Sequence, residues 1–138
     1  MTRKEITLCG KTVKMIYCTA TENGFELISP NTINVFVPTF GKDKEGNDII
    51  VEPARATVGD FITLAVAAIV AAYTRKGQEP PITSENILYD ITPQERNDLL
   101  TAIIELRNEW YAVPKTVEDT LKKDNEAAKG EGEEPKNA

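Results

Sequence analysis

From Phe61 to Tyr73 the chain reads FITLAVAAIVAAY, and Thr63 is its only polar side chain. Nothing else in the sequence limits the fold so strongly. These thirteen residues make a helix about 20 Å long at about 1.5 Å per residue, against a hydrocarbon core of about 30 Å. Asp60 and Arg75-Lys76 bracket the run closely, so it is not expected to span a membrane. A helix that is apolar on every side is usually buried on every side. The run therefore reads as the central helix of a small soluble domain. Burying Phe61, Ile62, Leu64, Val66, Ile69 and Val70 is worth roughly 9–18 kcal/mol as an upper bound, at about 1.5–3 each.

The ends of the helix are written locally. Thr57-Val58-Gly59-Asp60 can start it, with Asp60 near the positive end of the dipole. Arg75 and Lys76 suit the last turn and Gly77 the position after it, giving a helix over about 58–76.

Upstream, EITLCGKTVKMIYC (5–18) reads as a β-hairpin. Gly10-Lys11 is expected as a two-residue loop, pairing Leu8 with Val13 and Ile6 with Met15. That register leaves Cys9 by the turn and Cys18 at the far end, too far apart for a disulfide. Thr19 and Glu22 have capping-box spacing, predicting a short helix over 20–28 with Phe25, Leu27 and Ile28 inward. Gly24 weakens that prediction. TINVFVPTF and DIIVEP are expected to pair as a second, looser hairpin around GKDKEGN, with Pro38 and Pro53 marking edges.

Downstream, a short helix is expected over 84–90. Thr92-Pro93-Gln94-Glu95 is the strongest cap in the chain. From Pro93 the stripe Leu99, Ile103, Leu106 and Trp110 has helical period, widened by Leu100, Ile104 and Tyr111. Asp98, Glu105, Arg107 and Glu109 lie off that stripe, and Val113-Pro114 is expected to end the helix. Residues 118–138 hold one large apolar residue, Leu121, and are expected to form a disordered acidic tail. The fold class is therefore α+β: N-terminal hairpins packed with a small C-terminal helical bundle, in one domain over 1–117.

Composition narrows the chemistry. A net charge of −6 at pH 7 offers no basic excess to neutralise phosphates, which argues against non-specific nucleic-acid binding. The chain has no histidine, so Ser-His-Asp, Cys-His and His-based metal sites are excluded. No phosphate-loop, dinucleotide or CxxC motif occurs. The N-terminus has no signal-peptide core, making the cytoplasm the expected location. Two functional alternatives stay open. A small carboxylate- or metal-dependent enzyme needs Asp98, Glu105 or Glu109 to converge with Asp60. A cytoplasmic dimeric adaptor needs only an apolar face left over from the core.

The order of elements adds a resemblance. ITLCGKTVKMIYC, TATENGFELIS, the apolar helix, PPITSENILYDI and PQERNDLLTAIIELRNEWYAVP follow one another over about residues 4–117. In this organisation the chain resembles the tail assembly chaperones of long-tailed phages and prophages. The resemblance implies a protein with no active site and no cofactor. It implies a chaperone that coats the tape measure protein, a long helical client, and keeps it soluble until tail tube subunits take over. In many such relatives a ribosomal frameshift near the C-terminus appends a second domain. On this basis the surface for client or self-association is expected at Phe61, Leu64, Ala65, Ala68, Ile69 and Ala72, with Trp110 and Tyr111.

Overall fold

A computed structural model of the chain describes the backbone of residues 1–129 and the burial of residues 1–112. The architecture is α+β, with two antiparallel hairpins and four helices. Strands β1 (Thr2–Leu8) and β2 (Lys11–Tyr17) form the first hairpin. Its turn is Cys9-Gly10 rather than Gly10-Lys11: both residues have positive φ, 53° and 75°, as a type I′ turn requires. Ile6 therefore pairs with Val13 and Leu8 with Lys11, two residues away from the expected register. A two-residue slip keeps every side chain on its face, so Leu8, Val13, Met15 and Tyr17 still point into the core. Cys9 and Cys18 are free thiols at opposite ends of the hairpin.

Helix α1 runs Thr19–Ile28. Its N-cap is Cys18, with Thr21 in the role expected of Glu22. Thr21 Oγ1 accepts the Cys18 N–H at 3.2 Å and donates to the Ile16 carbonyl at 2.9 Å. Glu22 is released for another task, described below. Phe25 is fully buried as expected, but Leu27 and Ile28 are 88% and 56% exposed. The helix turns Phe25 and Gly24 inward and leaves Leu27 and Ile28 facing out.

Residues Ile33–Phe36, expected as strand, form a 3-10 turn. The turn drives Val35 and Phe36 into the core, a burial that a strand ending at Pro38 would split between two faces. The second hairpin is correspondingly shorter, β3 (Thr39–Lys42) with β4 (Asp48–Glu52), and β4 is exposed along its whole length.

The apolar run is helix α2, Val58–Thr74. Thr57 Oγ1 accepts the Asp60 N–H at 3.2 Å, and Asp60 Oδ2 accepts the Thr57 N–H at 2.9 Å, a reciprocal box. At the other end Gly77 has φ 68°. The Gly77 N–H donates to Thr74 O at 3.0 Å and the Gln78 N–H to Tyr73 O at 2.9 Å, the two bonds of a Schellman cap. No helix among the described residues is long and apolar enough to cross a membrane.

Around α2 pack α1, β2 and α4. The short α3 (Ser84–Tyr89) adds Ile87 to the core. Helix α4 runs Pro93–Lys129, with the expected Thr92–Glu95 box formed at both hydrogen bonds. Leu99, Ile103 and Leu106 are fully buried. The helix does not close at Val113-Pro114. An interior proline costs about 3 kcal/mol, but the Lys-, Glu- and Ala-rich stretch after it favours helix. The change in composition at Glu118 thus falls within α4, and residues 130–138 of the expected tail lie outside the described residues. Hairpin β1–β2 is fastened along α4 by Cys9 N–H to Glu95 Oε2 at 2.8 Å, an ion pair from Lys4 to Glu105, and Thr2 Oγ1 to the Leu106 carbonyl at 3.0 Å.

Candidate functional site

The face of α2 expected to meet another chain is the face that the domain uses itself. Leu64, Ala65 and Ala68 have no exposed surface, and Ile69 and Ala72 are also buried. Phe61 is partly buried, its ring centroid 4.9 Å from that of Phe36. Trp110 packs on the core with its ring 6.4 Å from that of Tyr17. Of the eight expected surface residues only Tyr111 is largely open, at 48% exposure. The hairpin and α4 cover more of α2 than their size suggests, because β1–β2 lies across α4 and α2 together.

The more open side of α2 faces α1. Ala67, Val70, Ala71 and Thr74 recur there at helical spacing; Ala67 is buried at its base, and Val70 is 41% exposed. They line a groove of about 320 Å³ against α1, whose wall is Ala20, Gly24 and Ile28 and whose end is Ile16 and Cys18. Gly24 sets its width. A Cβ built on Gly24 would lie 3.4 Å from the Ala67 Cβ, so the two helices approach within a methyl group of each other. The groove is apolar along its length and open to solvent. The sequence signal for it was faint but present: Thr63 and Thr74 sit on this face of the otherwise apolar helix.

Tyr111 belongs to a polar cluster beside Trp110. Glu22 accepts hydrogen bonds from Tyr17 Oη at 2.8 Å and from Tyr111 Oη. Burial, then the bond to Glu22, raises the Tyr17 phenol well above its ordinary value and pushes Tyr111 up to about 12. The Arg107 guanidinium stacks 4.7 Å from the Tyr111 ring centroid and 5.6 Å from that of Phe36. Arg107, expected off the apolar stripe, thus packs on two aromatic rings, and its Nε has no partner among the described residues.

Three of the candidate carboxylates, Asp60, Asp98 and Glu105, have separate partners. Asp60 is 8% exposed and fully engaged, by the Thr57 N–H and by Asn31 Nδ2 at 3.0 Å. Those bonds, the Thr57 N–H foremost, hold its carboxyl below the usual range against the opposing effect of burial. Asp98 accepts from Gln94 at 2.9 Å and Glu105 pairs with Lys4. Among the described residues no three Cys, Asp or Glu side chains group as a metal site.

No protein-family model, curated protein or solved structure matches the chain.

Proposed function

We propose that this protein is a tail assembly chaperone of a long-tailed phage or prophage, and that the α1–α2 groove holds helical segments of the tape measure protein. The observation that carries the reading is the groove itself: an open apolar channel between α1 and α2, on a chain of net charge −6. A helix seats its apolar stripe in such a channel through residues spaced three and four apart. Small residues in the walls let the backbones come close. The net negative charge of the chain keeps a coated client soluble and discourages other contacts. The resemblance in the order of elements supports the same reading. Self-association of the bound chaperones along the client belongs to this proposal. The carboxylate-enzyme reading has no observation in its favour: Asp60 is engaged in the α2 cap, Asp98 with Gln94 and Glu105 with Lys4.

Co-expression with the tape measure protein of the same genome tests the proposal. The expected result is a soluble complex of the two chains, where the tape measure protein alone precipitates. A tape measure protein that stays insoluble in the presence of the folded chain would overturn it.

A further inference from the structure

The groove does not end on apolar surface. At Ile16 and Arg75 it meets a cleft of about 550 Å³ between the hairpin and the last turn of α2. Met15, Ile16 and Ala72 supply apolar lining to the cleft, and Arg3, Lys14, Arg75 and Lys76 line it with positive charge. Two further charged side chains line it. Lys4 pairs with Glu105, and Glu5 sits across the ladder from Lys14. Arg3, Lys14, Arg75 and Lys76 have no carboxylate at salt-bridge distance among the described residues. Arg75 Nη1 instead lies 3.1 Å from Met1 Sδ.

Arg3, Arg75 and Lys76, with no carboxylate at salt-bridge distance among the described residues, share one cleft on a chain with 16 basic and 22 acidic residues. The helix dipole accounts for Arg75 and Lys76, which follow the C-terminal end of α2. Arg3 and Lys14 reach the same cleft from two separate strands, β1 and β2. Like charges gathered beside an apolar surface repel one another unless a ligand of opposite charge joins them.

We infer that the cleft reads carboxylates on the helix held by the groove: the bound helix carries Glu or Asp at the end that overhangs the α2 C-terminus. The inference rests on the groove reading above and adds direction and selectivity to it. The apolar stripe supplies contact area, and the carboxylates fix which way the helix lies. Helices with lysine at that end are rejected by repulsion.

Three synthetic helical peptides test this with the full-length chain. They share one Leu/Ala stripe and carry Glu, Gln or Lys at the same end positions. Fluorescence anisotropy should show the Glu peptide binding at least about tenfold more tightly than the Gln peptide, with the Lys peptide weakest. The advantage should shrink as added salt shortens the screening length below about 8–10 Å. An Arg75→Glu/Lys76→Glu variant should reverse the order of the Glu and Lys peptides. Equal affinity for the Glu and Gln peptides would overturn the inference and leave the groove reading intact. Displacement of the Glu peptide by inorganic phosphate at matched ionic strength would assign the cleft to small anions and also overturn it. Failure of all three peptides to bind would remove the groove reading as well.

Discussion

Gly24 and Ala67 bring α1 and α2 so close that a Cβ on Gly24 would stand 3.4 Å from the Ala67 Cβ. That distance is an ordinary contact, so alanine fits where glycine is. Gly24→Ala should keep the fold and gain up to about 1 kcal/mol from helix propensity, read as a higher thermal midpoint. Gly24→Leu should fill the groove and abolish client binding. A destabilised Gly24→Ala would mean that the helices pack more tightly than this spacing.

The two sides of α2 should respond oppositely to charge. Ala68 is fully buried and Val70 is 41% exposed. Ala68→Asp should unfold the domain, since an unpaired carboxylate in a core has nothing to offset its desolvation. Val70→Asp should cost less than about 1 kcal/mol, mostly helix propensity. Circular dichroism melts of the two variants check this. As a core reference, Leu106→Ala should cost about 2–5 kcal/mol.

The sequence held the ends of elements more clearly than their faces. Thr57 with Asp60, Thr92 with Glu95, and Gly77 after α2 are local chemistry, and each cap formed where its residues were written. The face of α2 was illegible for a physical reason. A helix apolar all round carries no stripe to say which side the hairpin will take. The alanines at 65, 68 and 72, which looked suited to a partner, admit the protein's own elements instead. The hairpin register misled for a related reason: registers two residues apart bury the same face, and only the positive φ of Cys9 separates them. Leu27 and Ile28 misled because α1 turns Thr21, Gly24 and Phe25 toward the core and leaves those two on the outer side.

The Asp60 cap carries a pH signature. Its carboxyl is held below the usual range, chiefly by the Thr57 N–H. A depressed folded-state value contributes stability that is complete above the ordinary carboxylate value of about 4 and is lost as pH falls through the folded value. Denaturant melts of the parent and Asp60→Asn should therefore differ by a constant amount at neutral pH and converge in acid. Thr57→Ala should cost about 1 kcal/mol at neutral pH, the usual loss for an N-cap.

At alkaline pH the order reverses. The Tyr111 phenol is pushed up to about 12 by burial and by Glu22, and Tyr17 is raised by the same causes. A raised folded-state value gives stability that is present below the ordinary phenol value of about 10 and lost as pH climbs above it. Glu22→Gln should move Tyr111 ionisation downward, seen as phenolate absorbance rising earlier in a pH titration. An unchanged titration would place the cause in burial alone.

The most direct measurement is calorimetric titration of a helical tape measure fragment into the parent chain and into Val70→Asp. Use of the α1–α2 groove requires the variant to bind at least about tenfold more weakly, a loss of about 1.4 kcal/mol, with its thermal midpoint almost unchanged. Equal affinity in the two proteins, or no binding to the parent chain, would contradict it.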